Sequence, residues 1–135
     1  MEKKDLDWGN IGFSYMPTDK RYVANYKDGA WDGGGMTSDP NVVINECAGI
    51  LQYCQEIFEG LKAYTTEDGS IVTFRPDLNA ERMMDSARRL EMPPFPKERF
   101  LEAVYQVVKA NAAWVPPFGS GATLYLRPYM FATGP

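Results

Sequence analysis

Histidine is absent from all 135 residues. Its absence removes Ser-His and Cys-His catalytic pairs, and any histidine-ligated zinc site, from this chain. Whatever chemistry occurs here falls to carboxylates, Lys, Tyr or a borrowed cofactor, and no metal site is expected. Cysteine is scarce: the two residues, Cys47 and Cys54, sit seven apart in what the pattern reads as one helix. Seven helical residues rise roughly 10 Å, too far for a disulfide, so the pair reads as reduced thiols of a cytoplasmic protein. No neighbour is placed to lower either thiol's pKa, which argues against a nucleophile. No apolar run approaches the roughly 20 residues that a spanning helix needs. The opening MEKKDLDWGN has no apolar stretch behind its charges and does not read as a signal peptide. An excess of basic residues is also missing. The chain carries 14 Lys and Arg against 18 Asp and Glu, a net charge of −4, which excludes a nucleic-acid footprint and a polybasic membrane patch.

What is present is enough apolar material for one core: 44% hydrophobic and 13% aromatic residues in a length that fits a single domain. Tyr22 to Tyr26 alternate and are rich in strand formers, and Asp28-Gly29 is a hairpin signal. Gly33-Gly34-Gly35 matches neither a dinucleotide fingerprint nor a Walker loop and reads as a flexible turn. Val42 to Ile44 suggests a short strand. From Glu46, Ile50, Leu51, Cys54, Ile57 and Phe58 recur at helical spacing, with Gly60 as a stop. A second hairpin turns at Asp68-Gly69. Two helices follow: one lined by Ala80, Met83, Met84, Ala87 and Leu90 and capped by Asp77 or Asn79, the other opened by Pro96 and burying Phe100, Leu101, Val104, Val107 and Val108. The last element, ATLYLRPYMFATGP, alternates as a strand interrupted by Pro128. Hairpins, two helices and a returning strand predict an α+β fold, a mostly antiparallel twisted sheet with helices packed against it.

Three groups stand out chemically. Alternation places Thr123, Tyr125 and Arg127 on one face of the last strand and Leu124 and Leu126 on the other. The leucine face reads as core; the Tyr-Arg face is either solvated or a binding surface, since Arg offers a fork of donors for a carboxylate and Tyr an aromatic wall. Arg82, in the first turns of its helix and opposite the methionines, is either a phosphate ligand or one surface arginine among several. Tyr53 and Phe58, about 140° apart on the expected helix, do not share a face; Phe58 reads locally as core, although both could border a cleft.

The stretch LQYCQEIFEGLKAYTTEDGSIVTFRPDLNAERMMDSARRLEMP resembles the signature region of the branched-chain aminotransferases, fold-type IV enzymes dependent on pyridoxal 5'-phosphate. LYLRPYMFATGP resembles the strand after that family's second helix, and GFSYMPTDKRYVANYKDGAW its first hairpin. The likeness runs from about Phe13 to Pro135, with the three segments in the family's order. It implies that Phe13, Tyr53 and Phe58 wall the branched-side-chain pocket and that Arg82 binds the cofactor phosphate. It implies Tyr125 for the same apolar pocket and Arg127 for the second carboxylate of glutamate or 2-oxoglutarate. Gln52 and Lys20 stand where the family usually has histidine, which implies altered packing rather than lost function.

The resemblance further implies that residues 1–135 are the amino-terminal small domain of a two-domain transaminase, homodimeric when whole. The larger domain, with the lysine that holds the cofactor, would begin after Pro135. No residue of this chain is then expected to be catalytic, since Lys62 and Lys109 do not match that lysine's setting, and the chain alone should be inactive. The competing expectations are a class IV relative, such as a D-amino-acid transaminase or an aminodeoxychorismate lyase, and a non-catalytic module that binds a small ligand or partner.

Overall fold

The computed structural model describes residues 2–134. Met1 and Pro135, the latter closing both the resemblance and the expected domain, lie outside the described residues. Strand β1 (Arg21–Val23) starts a hairpin built in two stages. Strands β2 (Tyr26–Lys27) and β3 (Ala30–Trp31) pair at its tip, where Asp28 (φ 53°) and Gly29 (φ 84°) both take the left-handed conformation that a two-residue turn demands. Strand β4 (Gly35–Thr37) returns against β1. Between the two stages the ladder breaks around Asp32, whose carboxylate accepts from the Asn25 and Gly34 amides. The glycine run is this return and not a free turn: a Cβ on Gly34 would lie 2.1 Å from the Tyr22 hydroxyl.

The expected strand at Val42 to Ile44 does not form. No strand lies alongside to pair with it, and Val43 is 97% exposed. The expected long helix from Glu46 is also corrected. Helix α1 (Gly49–Tyr53) covers little more than one turn, because Cys54 enters the left-handed region at φ 54° and ends it. Cys47 therefore precedes the helix and Cys54 caps it, both exposed and free. The Gly49 and Ile50 amides, unpaired within so short a helix, donate instead to the carbonyls of Gly134 and Ala132. Residues expected to continue the helix form strand β5 (Glu56–Phe58), with Ile57 buried and Phe58 exposed. Gly60 stops no helix; it joins β5 to strand β6 (Leu61–Thr65).

Strand β7 (Ile71–Thr73) completes the hairpin expected at Asp68-Gly69. Helix α2 (Pro76–Arg89) follows, with Pro76 at its first position, where a missing N–H costs nothing. Neither Asp77 nor Asn79 caps it. Both lie inside the first turn or beyond, past the one residue whose side chain can reach back to the free amides. Asp77 pairs with Arg75 instead, and Asn79 turns toward Glu59 and Gly60. Helix α3 (Lys97–Ala110) opens after Pro96 as expected. Strands β8 (Leu124–Leu126) and β9 (Tyr129–Phe131) stand on either side of Pro128, which lacks the N–H to keep the ladder whole.

Strand β8 pairs antiparallel with β6, and β9 pairs antiparallel with β5. The two ladders share one register, and the Glu59 amide donates to the Pro128 carbonyl between them at 2.8 Å. The result is a long two-stranded spine with β7 added beside β6. Ile57, Leu61, Ala63 and Leu126 line one face and meet Ala80, Met83 and Ala87 of α2 and Phe100 and Val104 of α3. Met84 is only half-buried, and Leu90, past the last turn of α2, is exposed. This is the α+β arrangement expected, an antiparallel sheet with helices over one face. Buried Asn111 ties the first hairpin to α3: its carbonyl accepts from the Asp19 and Lys20 amides, and its amide donates to the carbonyls of Lys20 and Val107.

Candidate functional site

Helices cover one face of the spine; the chemistry sits on the other. Because side chains alternate along a strand, burying Ile57, Leu61 and Leu126 turns Phe58, Tyr125 and Tyr129 outward. The expected alternation of Tyr125 and Arg127 against Leu124 and Leu126 is what the structure shows. Of its two readings, solvated face or binding surface, the contacts favour the second. The Arg127 guanidinium lies over the Phe58 ring at 4.4 Å and beside the Tyr125 ring at 5.4 Å. Its Nε donates to the Tyr125 hydroxyl at 3.3 Å. Phe13 arrives from the amino-terminal segment and sets its ring edge-on to Tyr125, centroids 5.5 Å apart. A cation held over one ring and beside another, with no carboxylate near it, has donors left for an incoming oxyanion.

Gly60 makes this packing possible. A Cβ there would sit 2.3 Å from the Tyr125 hydroxyl oxygen and 3.0 Å from the ring carbon bearing it. The tyrosine thus lies flat against bare backbone. An open groove of about 1200 Å³ runs past Phe13, Tyr125 and Arg127.

The other site residues are placed differently. Phe58 is on a strand and 59% exposed, so it is a wall residue and not core. Tyr53 ends α1, 84% exposed, and touches no other aromatic ring among the described residues. The two were expected on one helix; they are on a helix and a strand separated by the left-handed turn at Cys54. Arg82 is the seventh residue of α2, beyond the free amides of the helix start, so no N-terminal amide assists it. Nor is it a loose surface arginine. Its Nε and Nη2 grip the Glu59 carboxylate, with Nε at 3.1 and 2.8 Å from the two oxygens.

Glu59 is the residue the sequence reading missed. It is 5% exposed, points to the opposite side of the sheet from Phe58, and also accepts from the Asn79 amide at 2.9 Å. Burial pushes its carboxyl pKa up, but hydrogen bonds from Arg82 and Asn79 and the arginine's charge outweigh that and leave it below the usual carboxylate range. The signal available was alternation: between an outward Phe58 and an inward Leu61, an acid at 59 must face the helices. Phe58, Glu59 and Gly60 thus do three separate things: a wall, an anchor for Arg82, and a seat for Tyr125.

Among the described residues, no group of three or more His, Cys, Asp or Glu could hold a metal ion, and no helix is long and apolar enough to cross a membrane. No family model matches the chain. It is 56% identical over 131 residues to the branched-chain-amino-acid aminotransferase of Haemophilus influenzae, covering 97% of this chain and 38% of that protein. It is 46% identical to the Helicobacter pylori enzyme of the same name, with the same coverage of both chains. Branched-chain-amino-acid aminotransferase 2 of Arabidopsis thaliana, chloroplastic, is also 46% identical, over 97% of this chain and 34% of its own. Two solved structures share the fold at 24% identity, covering 87% of this chain and 34% of theirs. One is the branched-chain aminotransferase of Thermoproteus uzoniensis with norvaline, TM-score 0.61. The other is a bacterial branched-chain amino acid aminotransferase complexed with N-(5'-phosphopyridoxyl)-L-glutamate, TM-score 0.63. The chain spans little more than a third of the length of the curated relatives it matches. Across the stretch it does span, this chain belongs by sequence and by fold to the branched-chain-amino-acid aminotransferases.

Proposed function

We propose that this chain is the small domain, residues 1–135, of a pyridoxal-phosphate-dependent transaminase acting on leucine, isoleucine or valine with 2-oxoglutarate. The observation that carries the reading is the outer-face cluster: Arg127 over Phe58, bonded to Tyr125, with Phe13 against that ring. Such a pocket takes two kinds of side chain in turn. Aromatic walls favour an apolar branched chain by burial, and the guanidinium at their edge favours a carboxylate by a charge-assisted bond. In this reading Phe13, Phe58 and Tyr125 wall the pocket, joined by Tyr53, and Arg127 receives the second carboxylate of glutamate or 2-oxoglutarate.

The donor set fits the cofactor's phosphate. Arg82 spends one edge of its guanidinium on Glu59 and keeps its Nη1 donors free of protein acceptors among the described residues. When bound, the cofactor supplies the electron sink for the carbon that loses its proton. The amine that holds it covalently, and most of its other ligands, come from the larger domain that completes the relatives, so this stretch alone does not turn over substrate. The whole enzyme is a cytoplasmic homodimer in this reading.

The test compares this chain with the uninterrupted gene product. Each is mixed with pyridoxal phosphate and its visible absorbance recorded; leucine and 2-oxoglutarate are then added and glutamate is followed. Cofactor absorbance and glutamate formation in the longer product alone are expected. A longer product that neither binds the cofactor nor transaminates overturns the reading and leaves a non-catalytic binding module. Turnover of D-alanine in place of leucine reassigns it to the D-amino-acid relatives.

A further inference from the structure

Burying a carboxylate to hold an exposed arginine is a poor way to gain stability. Removing a carboxylate from water is costly, and an ion pair whose cation stays wet returns little. Glu59 is nonetheless 5% exposed while the side chain of Arg82 is 67% exposed. The carboxylate is itself fixed: the Asn79 amide donates to Oε1 at 2.9 Å, and the backbone at 59 is tied into the spine through Pro128. Asn79 is held in turn, since its amide also donates to the Gly60 carbonyl at 3.2 Å. The guanidinium is planar, so gripping it at Nε and Nη2 fixes the direction of its opposite edge. Among the described residues no protein group accepts from Nη1 there.

We propose that Glu59 is a positioning residue: it sets the plane of Arg82 so that the free edge of the guanidinium presents two donors to the phosphate of the cofactor. The proposal rests on the reading of Arg82 as the phosphate ligand. It goes beyond it by assigning the acid of the Phe58-Glu59-Gly60 turn to cofactor affinity and not to the substrate pocket that its two neighbours serve.

The experiment uses the full-length apoenzyme and two probes that differ by one group: pyridoxal phosphate, and pyridoxal, which lacks the phosphate. Dissociation constants for both are measured for wild type, Glu59→Gln, Glu59→Asp, Arg82→Gln and the Glu59→Gln/Arg82→Gln double variant. Glu59→Gln should weaken pyridoxal phosphate about tenfold, in line with loss of a supporting partner behind a ligand at other sites, and leave pyridoxal unchanged. Glu59→Asp, which keeps the charge on a shorter arm, should fall between. The double variant should bind no more weakly than Arg82→Gln, because a residue acting through the arginine has nothing left to act on. Equal weakening of both probes by Glu59→Gln overturns the proposal in favour of a merely structural role. Unchanged or tighter binding of pyridoxal phosphate overturns it too, since Glu59 would then only neutralise the arginine. If Glu59→Gln does not fold, Glu59→Asp carries the same comparison. Wild type that binds the probes alike, or Arg82→Gln that loses nothing, overturns the phosphate reading of Arg82 and the proposal with it; the pattern of loss separates the two failures.

Discussion

Replacing Gly60 by Ala tests whether the outer face is a shaped pocket or loose surface aromatics. The added methyl would lie 2.3 Å from the Tyr125 hydroxyl, where ordinary contact begins at 3.4 Å, so the ring must retreat by roughly 1 Å. The opposite side of Tyr125 is partly open, so the ring can swing outward and the backbone need not yield. Overpacking typically costs about 1–3 kcal/mol, and this escape places the substitution near the lower end. A loss of about 1 kcal/mol lowers the melting temperature by roughly 4 °C in a domain of this size. The functional effect should be larger. Tyr125 holds the Nε of Arg127 and abuts Phe13, so both move with it. A misplacement of about 1 Å can cost on the order of 100-fold in rate. Steady-state kinetics of the full-length Gly60→Ala enzyme should therefore show at least a tenfold loss of kcat/KM with both leucine and 2-oxoglutarate, beside a small thermal shift. Kinetics indistinguishable from wild type would refute the reasoning, because the ring would then have moved without consequence.

Four further outcomes are expected. Arg127→Ala should reduce kcat/KM for glutamate and 2-oxoglutarate about 10- to 100-fold more than for leucine, the worth of one charge-assisted bond; equal losses sink the carboxylate role. The depressed carboxyl of Glu59 contributes stability that is present above the ordinary value of 4.5 and lost as pH falls through its lower folded value. Acid unfolding of Glu59→Gln should accordingly be less steep below that pH, and parallel curves would contradict the assignment. Cys54→Gly should stabilise by about 0.5–1 kcal/mol, since glycine adopts φ 54° without the penalty a side chain meets there and offsets its greater unfolded freedom; a lower melting temperature counts against it. Asn111→Ala leaves backbone groups of the first hairpin without partners. It should cost about 2–4 kcal/mol and speed amide exchange of Lys20 before that of α2.

The parts of the fold legible in the sequence were those decided by neighbours in the chain. Asp28-Gly29 and Asp68-Gly69 announced their turns because few residues tolerate that backbone, and α2 and α3 carried uninterrupted apolar stripes. The Tyr125-Arg127 face was legible for a similar reason, since alternation needs only the strand itself. Residues 46–58 were misread because Ile50, Leu51, Cys54, Ile57 and Phe58 suit a helix locally. Their fate is decided by β9, more than 70 residues later, which offers Ile57 a ladder partner in Met130. The same distant pairing brought Phe58 beneath Arg127, a contact no local pattern contains. Glu59 was hidden by its chemistry: an acid is expected in water, and only its partner on α2 explains its burial.

The shared register of the two ladders also limits how this chain can change length. From Glu56 to Leu61 every residue is committed to a side of the sheet, so deleting one would send Phe58 toward the helices and Glu59 into the aromatic pocket. An insertion would do the same in reverse. Variation in length can be absorbed at the exposed turns around Asp68 and Gly119, which bind nothing across the sheet, but not in the turn between β5 and β6. Lineages descending from such a domain can therefore retune its pocket by substitution, while gains and losses of residues are confined to its rim.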